Sequence, residues 1–500
     1  MKISISYPPL ESEKGTPLLS QNRQFQWFNS PTYIYPVIPA YLATLLKVNG
    51  YDVVWDDGIA EELSYQEWLE RIVKERPDII AIETKTPVIK RHWQIINELK
   101  VKSEKLKVVL MGDHVTALPE ESLNNSQVDY VLTGGDYDFM LLNLANHLTK
   151  GEPLEPGWYF KKSKIKNQNA KLQFKIQNLE NEIVSTGHFQ LNHDLNSLPI
   201  IDRELTKWKL YAYKNGNFKY TPGTYMMSGR DCWWGRCSFC SWTTLFPGNS
   251  FRTRSAKLAL DEVGYLIDLG VKEIMEDSGS LPIGDWLKEF CIGMIERGYN
   301  KKVVLSCNMR INGIRDPEMW KLMERAGFRM ILFGLESANQ KTLDAINKNL
   351  KVEEIEPELR MCKEAGFEPH ITAMIGYPWE TYEDAKKTVD LAKDLFKKAY
   401  VDTLQATILI PYPGTPLYRY CQENNLLNFT DYDRFDQREQ VMKCSLTTEQ
   451  VKELTQGLYK AFMTPKFVFN KIVSIRSFAD VKFLWRAGLK VFGHLMDFKK

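Results

Sequence analysis

No stretch of the 500-residue chain approaches the ~20 consecutive apolar residues that span a bilayer. The opening MKISISYPPLESEKG lacks the apolar run of a secretory signal, so a cytoplasmic protein is expected. Charge of one sign is lacking too. Against 65 basic residues stand 63 acidic ones, and a net +2 gives no whole-protein drive toward nucleic acid. Eight cysteines are too few for a disulfide scaffold at this length, and none precedes Cys232. Internal repeats and low-complexity tracts are absent. What is present, 44% hydrophobic and 26% charged residues, is the composition of a folded chain with room for about three domains.

Residues 1–150 alternate short apolar runs with helical patterns. Lys2–Tyr7, Tyr51–Trp55, Asp78–Glu83, Lys107–Met111 and Val128–Leu132 read as strands, with helices such as Ile38–Val48 and Tyr65–Val73 between them. That alternation implies right-handed βαβ units and a Rossmann-like parallel sheet. Ligands of such sheets sit at the carboxyl ends of the strands, where Pro8, Thr84, Asp113, His114, Gly134, Gly135 and Asp136 fall. No GxGxxG follows the first strand, so the dinucleotide fingerprint is missing. Residues 151–222 are polar and read as a connector with one hairpin, Leu172–Ile176 and Glu182–Ser185. Residues 223–430 alternate again, with strands expected at Tyr225–Ser228, Glu273–Met275, Val303–Cys307, Met330–Gly334, His370–Ile375 and Asp402–Leu409. Six βα units predict a partial (β/α)6 barrel of the TIM type, making the whole chain α/β. Residues 431–500 read as helical.

Directly after the first barrel strand comes MSGRDCWWGRCSFCSW, with Cys232, Cys237 and Cys240. Three thiolates so close together can hold one soft metal centre. Zinc would want a fourth ligand, and the next cysteine, Cys291, is far along the chain. Three cysteines suit a [4Fe–4S] cluster with one iron left open. The loop also sits on the face where such barrels carry their chemistry.

This loop resembles the cluster-binding loop of radical S-adenosylmethionine (SAM) enzymes. The family usually has three residues in the first gap; this chain has four. Phe239 agrees with the family's aromatic position, which implies contact with the adenine of SAM. The likeness continues through Asn308–Arg310, Ala326–Phe328 (AGF), Phe333–Ser337 (FGLES), Met374–Thr381 (MIGYPWET) and Pro411–Tyr418 (PYPGTPLY). This succession is similar to the cobalamin-dependent branch of the family, over about residues 1–430. The resemblance implies that Arg310 and Glu336 bind the ribose or carboxylate of SAM, with Asn308 beside them, and that Gly376 lines its adenine side. Plainer readings stand next to these: Gly376 ends a strand, and Glu336 is a barrel salt-bridge partner. Asp277, in EIMEDSGS, is read as a polar active-site residue, with a helix N-cap carboxylate as its alternative.

The same branch carries an N-terminal sheet that binds cobalamin. Here Pro8, Met111–Glu121 (MGDHVTALPEE) and Thr133–Asp138 (TGGDYD) resemble it. The phosphate-bearing tail of cobalamin needs close backbone approach, which Gly134 and Gly135 allow. The DxHxxG motif that supplies a cobalt-ligating histidine is absent, because Asp113 and His114 are adjacent. Cobalamin is therefore expected without a protein histidine on cobalt.

The resemblance implies cleavage of SAM to a 5′-deoxyadenosyl radical and, with cobalamin, methylation of an unactivated carbon. Radical cyclisation, rearrangement or oxidation is the same-class alternative, and a non-catalytic iron–sulfur redox sensor is the different-class one. The expected partners are a small-molecule or lipid-like substrate and an electron donor such as flavodoxin or ferredoxin. Residues 466–500 carry eight Lys/Arg and two Asp, 8 − 2 = +6, with apolar residues at helical spacing. They read as a helix packed on the barrel or lying on an anionic membrane surface.

Overall fold

A computed structural model describes residues 1–19, 25–29, 31–164 and 182–461, with residues 473, 475, 481 and 488 beyond. The first nine strands are β1 (Lys2–Tyr7), β2 (Thr16–Leu18), β3 (Gln26–Phe28), β4 (Asp52–Asp57), β5 (Ile79–Glu83), β6 (Lys107–Met111), β7 (Tyr130–Leu132), β8 (Trp158–Lys161) and β9 (Ile183–Ser185). Seven of them form one sheet in the order β4-β1-β5-β6-β7-β8-β9. The first five in that row are parallel, a doubly wound order that reverses between β1 and β5. Their apolar runs have the buried pattern expected of strands covered on both faces; β5, IIAIE, is buried throughout. Within the stretch read as a connector, β8 and β9 add antiparallel to this sheet. The partner expected for β9, Leu172–Ile176, lies outside the described residues.

The remaining strands are β10 (Gly223–Met226), β11 (Gly229–Arg230), β12 (Arg252–Thr253), β13 (Glu273–Glu276), β14 (Val304–Met309), β15 (Phe328–Glu336), β16 (Glu368–Ile375) and β17 (Thr403–Ile408). Six of these make an all-parallel sheet in strict chain order, β10-β13-β14-β15-β16-β17. Consecutive βα units that never reverse curl a sheet in one sense, and the result is the partial barrel the sequence predicts. Helix Thr448–Lys460 follows and is tied to β17 by Tyr459, whose hydroxyl donates to the Ala406 carbonyl at 2.7 Å. Among the described residues no helix is long and apolar enough to cross a membrane. Residues 466–500, expected as a basic amphipathic helix, lie outside the described residues apart from the four single positions.

The two sheets are joined by buried charge. Glu262, on helix Ala256–Asp268 of the barrel, is fully buried. It accepts from Arg203 of the connector at 3.0 Å, from Arg254, and from the Tyr41 hydroxyl of the first sheet's helix Val37–Val48 at 2.8 Å. Burial alone would raise the Glu262 pKa, but the charges of Arg254 and Arg203 outweigh it and hold the group below the usual carboxylate range. Arg203 also reaches Thr224 and the Tyr225 carbonyl, and its guanidinium lies 4.4 Å from the Tyr35 ring centre. The connector thus threads through the seam.

Glu262→Ala leaves two buried guanidiniums without their anion, and the expected loss is about 3–5 kcal/mol. Asp261→Ala, one residue away but on the exposed face, removes partners of Lys257 and Arg297 and is expected to cost under about 1 kcal/mol. Urea unfolding of the two variants side by side measures the contrast.

Candidate active site

Side chains on a strand alternate between faces, so residues two apart share one face. Met275 and Asp277 leave the barrel along β13, Asn308 and Arg310 along β14, and Leu332, Gly334 and Glu336 along β15. Thr372 and Met374 follow on β16, with Gln405 and Thr407 on β17. All of them line one cavity of about 260 Å³. Cys232, Cys237, Cys240 and Phe239, from the loop after β11, line it too. Of the expected barrel-side residues, only Gly376 is not in this wall. It continues the face of Thr372 and Met374 but has φ +106 and packs toward Ile408 and Val451, so it serves the turn that ends β16.

Cys237 is buried, while Cys232 and Cys240 are half-buried. Burial pushes the Cys237 thiol up, and the nearby Lys348 and Arg310 charges oppose that push. Among the described residues no three thiol, imidazole or carboxyl groups converge tightly enough for a single metal ion. A four-iron cluster instead takes one thiolate at each of several irons, and three cysteines around one cavity suit it. The cysteine loop is pinned from below: Ser238 N–H donates to the Ile346 carbonyl at 2.9 Å and the Trp234 indole to the Asn347 carbonyl at 2.8 Å.

Glu336 ends β15 in the left-handed region, φ +64, and pairs with Lys348 at 2.7 Å. Gly334 makes the room: a Cβ there would lie 2.2 Å from Glu336 Oε1 and 2.6 Å from Lys348 Nζ. Glu336 is therefore both a salt-bridge partner and a cavity wall. Arg310 donates to the Lys348 carbonyl, and its guanidinium sits 5.3 and 5.0 Å from the Trp233 and Trp234 rings. Asp277 accepts from Asn308 Nδ2 at 2.9 Å. It is not a helix cap, since the next helix, Asp285–Glu296, starts after Gly284. The sequence reading did not single out Lys348, Asp231 and Tyr225, nor the polar wall residues Thr372, Gln405 and Thr407. The period of two was available for Tyr225, but Lys348 arrives from a loop and had no local signal.

At the first sheet every expected residue lies at a strand's carboxyl end, but several are already engaged. The Thr84 hydroxyl bonds His92 Nδ1 at 2.7 Å. Asp113 pairs with Lys85 at 3.3 Å and accepts the His114 N–H at 2.8 Å. The His114 ring is buried, with Nδ1 3.1 Å from the Thr86 hydroxyl and Nε2 3.0 Å from Glu121. Both of its nitrogens are thereby occupied. Pro8 is buried behind β1. Asp136, expected to touch cobalamin, instead forms a fork-to-fork pair with Arg252, at 2.8 and 2.9 Å, and bonds His193 at 2.8 Å. Its neighbour Asp138 takes Arg230. Both carboxylates are thus paired with arginines of the β11–β12 hairpin.

Burial raises the Asp136 pKa, but His193, Arg252 and Arg230 more than reverse this and bring it to about 2. Burial lowers His193, yet Asp136 and Glu155 lift it from 6.5 to about 9. A histidine pKa raised on folding contributes stability that is complete below pH 6.5 and lost as pH climbs through about 9. The lowered Asp136 contributes above pH 3.8, and that share is lost as pH falls through about 2. Thermal unfolding from pH 6 to 10 should therefore show a loss of stability centred between 6.5 and 9, absent in His193→Gln. A second test addresses the thiols: Ala at Cys232, Cys237 or Cys240 should abolish iron retention after reconstitution, and Ala at Cys291, Cys307, Cys362, Cys421 or Cys444 should not.

Residues 226–392 match the family described as the radical SAM superfamily, and residues 28–140 match the B12 binding domain. An uncharacterized methyltransferase of Pyrococcus horikoshii is 26% identical over 451 residues, 89% of this chain and 91% of that protein. The anaerobic magnesium-protoporphyrin IX monomethyl ester cyclase of Cereibacter sphaeroides is 26% identical over 448 residues, 87% of this chain and 68% of the cyclase. Among solved structures, the radical SAM methyltransferase TsrM of Kitasatospora setae with cobalamin and a [4Fe–4S] cluster superposes with TM-score 0.65. It shares 15% identity over 93% of this chain and 89% of its own. The cobalamin-dependent enzyme OxsB with aqua-cobalamin and SAM gives TM-score 0.68 at 13% identity, over 99% of this chain and 71% of its own.

Proposed function

From the premise that the chain belongs to the radical SAM enzymes that carry a B12-binding domain, we propose that it methylates an unactivated carbon of a small molecule. The observation that carries the reading is one cavity that joins three loop cysteines to residues from all six barrel strands. When bound, the cluster, SAM and cobalamin supply reductive SAM cleavage to a carbon-centred radical and the carriage of a methyl group. The protein's own task is placement and exclusion of water.

In this reading Cys232, Cys237 and Cys240 hold the iron–sulfur cluster as thiolates, the metal supplying the charge that burial at Cys237 otherwise disfavours. Phe239 and the strand-end groups Asp277, Asn308, Arg310 and Glu336 bind SAM. Lys348 fixes the Glu336 carboxylate, and Asn308 fixes that of Asp277, so both are oriented before SAM arrives. Met275, Met309, Leu332 and Met374 supply apolar wall that keeps water from a radical. Pro8, Thr84, Asp113, His114, Gly134 and Gly135 mark the strand ends over which cobalamin lies; Asp136 supports that edge through its arginine. A one-electron donor of the flavodoxin or ferredoxin class completes the system. A lipid-like substrate would draw the basic residues 466–500 to a membrane surface.

Methyl transfer is favoured by the Pyrococcus methyltransferase, which this chain matches almost end to end. The cyclase relative favours the second reading, radical ring closure without methyl transfer. The two differ in stoichiometry. A methyltransferase yields S-adenosylhomocysteine and 5′-deoxyadenosine in near-equal amounts with product. Anaerobic turnover with candidate substrates, quantifying both nucleosides, should give that ratio; 5′-deoxyadenosine without S-adenosylhomocysteine would leave cyclisation or oxidation, and neither nucleoside would leave a redox sensor.

A further inference from the structure

The cavity has two kinds of polar wall. At the ends of β13, β14 and β15 the polar groups are already paired, Asp277 with Asn308 and Glu336 with Lys348. The barrel does not close, so β10 and β17 are its two edges. Tyr225 lines the cavity from one edge, and Gln405 and Thr407 line it from the other. Ile34 of the first sheet's domain and Asn217 of the connector join the same wall.

Gln405 and Thr407 lie two apart on β17, in register with Thr372 and Met374 of β16, and all four side chains reach the cavity. Among the described residues neither the Gln405 amide nor the Thr407 hydroxyl has a hydrogen-bond partner. Tyr225 is a donor by elimination. Asn215 Nδ2 donates to the Tyr33 carbonyl at 2.8 Å and to the Tyr225 oxygen at 2.7 Å, while Asn215 Oδ1 accepts the Asn217 N–H at 2.9 Å. These contacts fix which way the amide faces, so the phenol oxygen must accept. Asn217 Nδ2 approaches the same oxygen at 3.4 Å. Burial first, and then the Asp277 charge, hold the phenol protonated. Its O–H thus stays free to donate to a ligand.

Every group on the two edge strands is neutral: a phenol donor, an amide with donor and acceptor, and a hydroxyl. The charges that act on Tyr225 are the negative ones of Asp277 and Glu273. A carboxylate beside the phenol would be repelled, and an ammonium would offer it no lone pair. We propose that Tyr225 and Gln405 form a substrate subsite for an uncharged carbonyl or amide group, with Tyr225 donating to its oxygen and Gln405 supplying both donor and acceptor. Met275, Leu332, Met374 and Leu409 in the same wall suit the carbon skeleton that carries this group. The inference rests on the reading that this cavity is the active site of a radical SAM enzyme.

The test uses the full chain reconstituted with iron and sulfide and saturated with SAM under argon, without reductant. Benzamide, benzoate and benzylamine, similar in size and different in charge, are titrated by saturation-transfer NMR. Benzamide should bind at least about fivefold more tightly than either charged probe, the worth of one neutral hydrogen bond. Tyr225→Phe and Gln405→Leu should each weaken benzamide by about that factor, with SAM binding unchanged in equilibrium dialysis. A smaller preference, no binding of any probe, or failure of either folded variant to weaken benzamide would overturn the proposal. If Tyr225→Phe does not fold, since Asn215 loses an acceptor, Gln405→Leu decides by the same criterion. If the wild type binds no SAM, the radical SAM reading has failed on its own, and the same titration without SAM decides the neutral subsite.

Discussion

The molecule depends on charge buried where its two sheets meet. Helix Val37–Val48 and the turn after β7 meet the barrel's helix Ala256–Asp268 and its β11–β12 hairpin, and polar groups cannot be pressed together there without partners. Two clusters provide them: Glu262 between Arg203 and Arg254, and the Asp136–Asp138 pair against Arg252 and Arg230. Buried ion pairs add little net stability over apolar packing, but they fix one arrangement, because any other leaves a charge unpaired in a dry seam.

The same seam explains the departures around the first sheet. Asp136 lies at a strand end, where ligands of such sheets bind, yet it is spent on Arg252. His114 and Thr84 likewise give their polar atoms to Glu121, Thr86 and His92. The glycine turn is lined by Phe189 and Phe246 rather than open. On this side the chain offers cobalamin surface and backbone more than free ligating atoms, in keeping with the missing DxHxxG spacing.

On the barrel side the logic is different. Polar residues there are oriented in pairs, Glu336 with Lys348 and Asp277 with Asn308, so each enters the cavity in one geometry. The left-handed backbone at Glu336 is supported by its ion pair and by the space Gly334 leaves. Arg310, between two tryptophans and a carbonyl, links the cysteine loop to that network.

The sequence by itself determined the alternation of strands and helices, the six-unit barrel, the three-cysteine loop and the polar strand-end residues Asp277, Asn308, Arg310 and Glu336 of the cavity wall. Each of these is written in neighbouring residues: apolar runs a few residues long, a period of two along a strand, cysteines within one loop. Only the tertiary structure decided that β8 and β9 extend the first sheet, that Gly376 turns a strand rather than lining the cavity, and that Lys348 sits beside Glu336. It also decided that Asp136 belongs to the seam. The reason is distance along the chain. Arg252 and Asp136 are 116 residues apart, and Tyr41 and Glu262 are 221 apart. No local pattern encodes which charge will meet which; that choice is made when two folded sheets close on each other and every buried charge must find a partner.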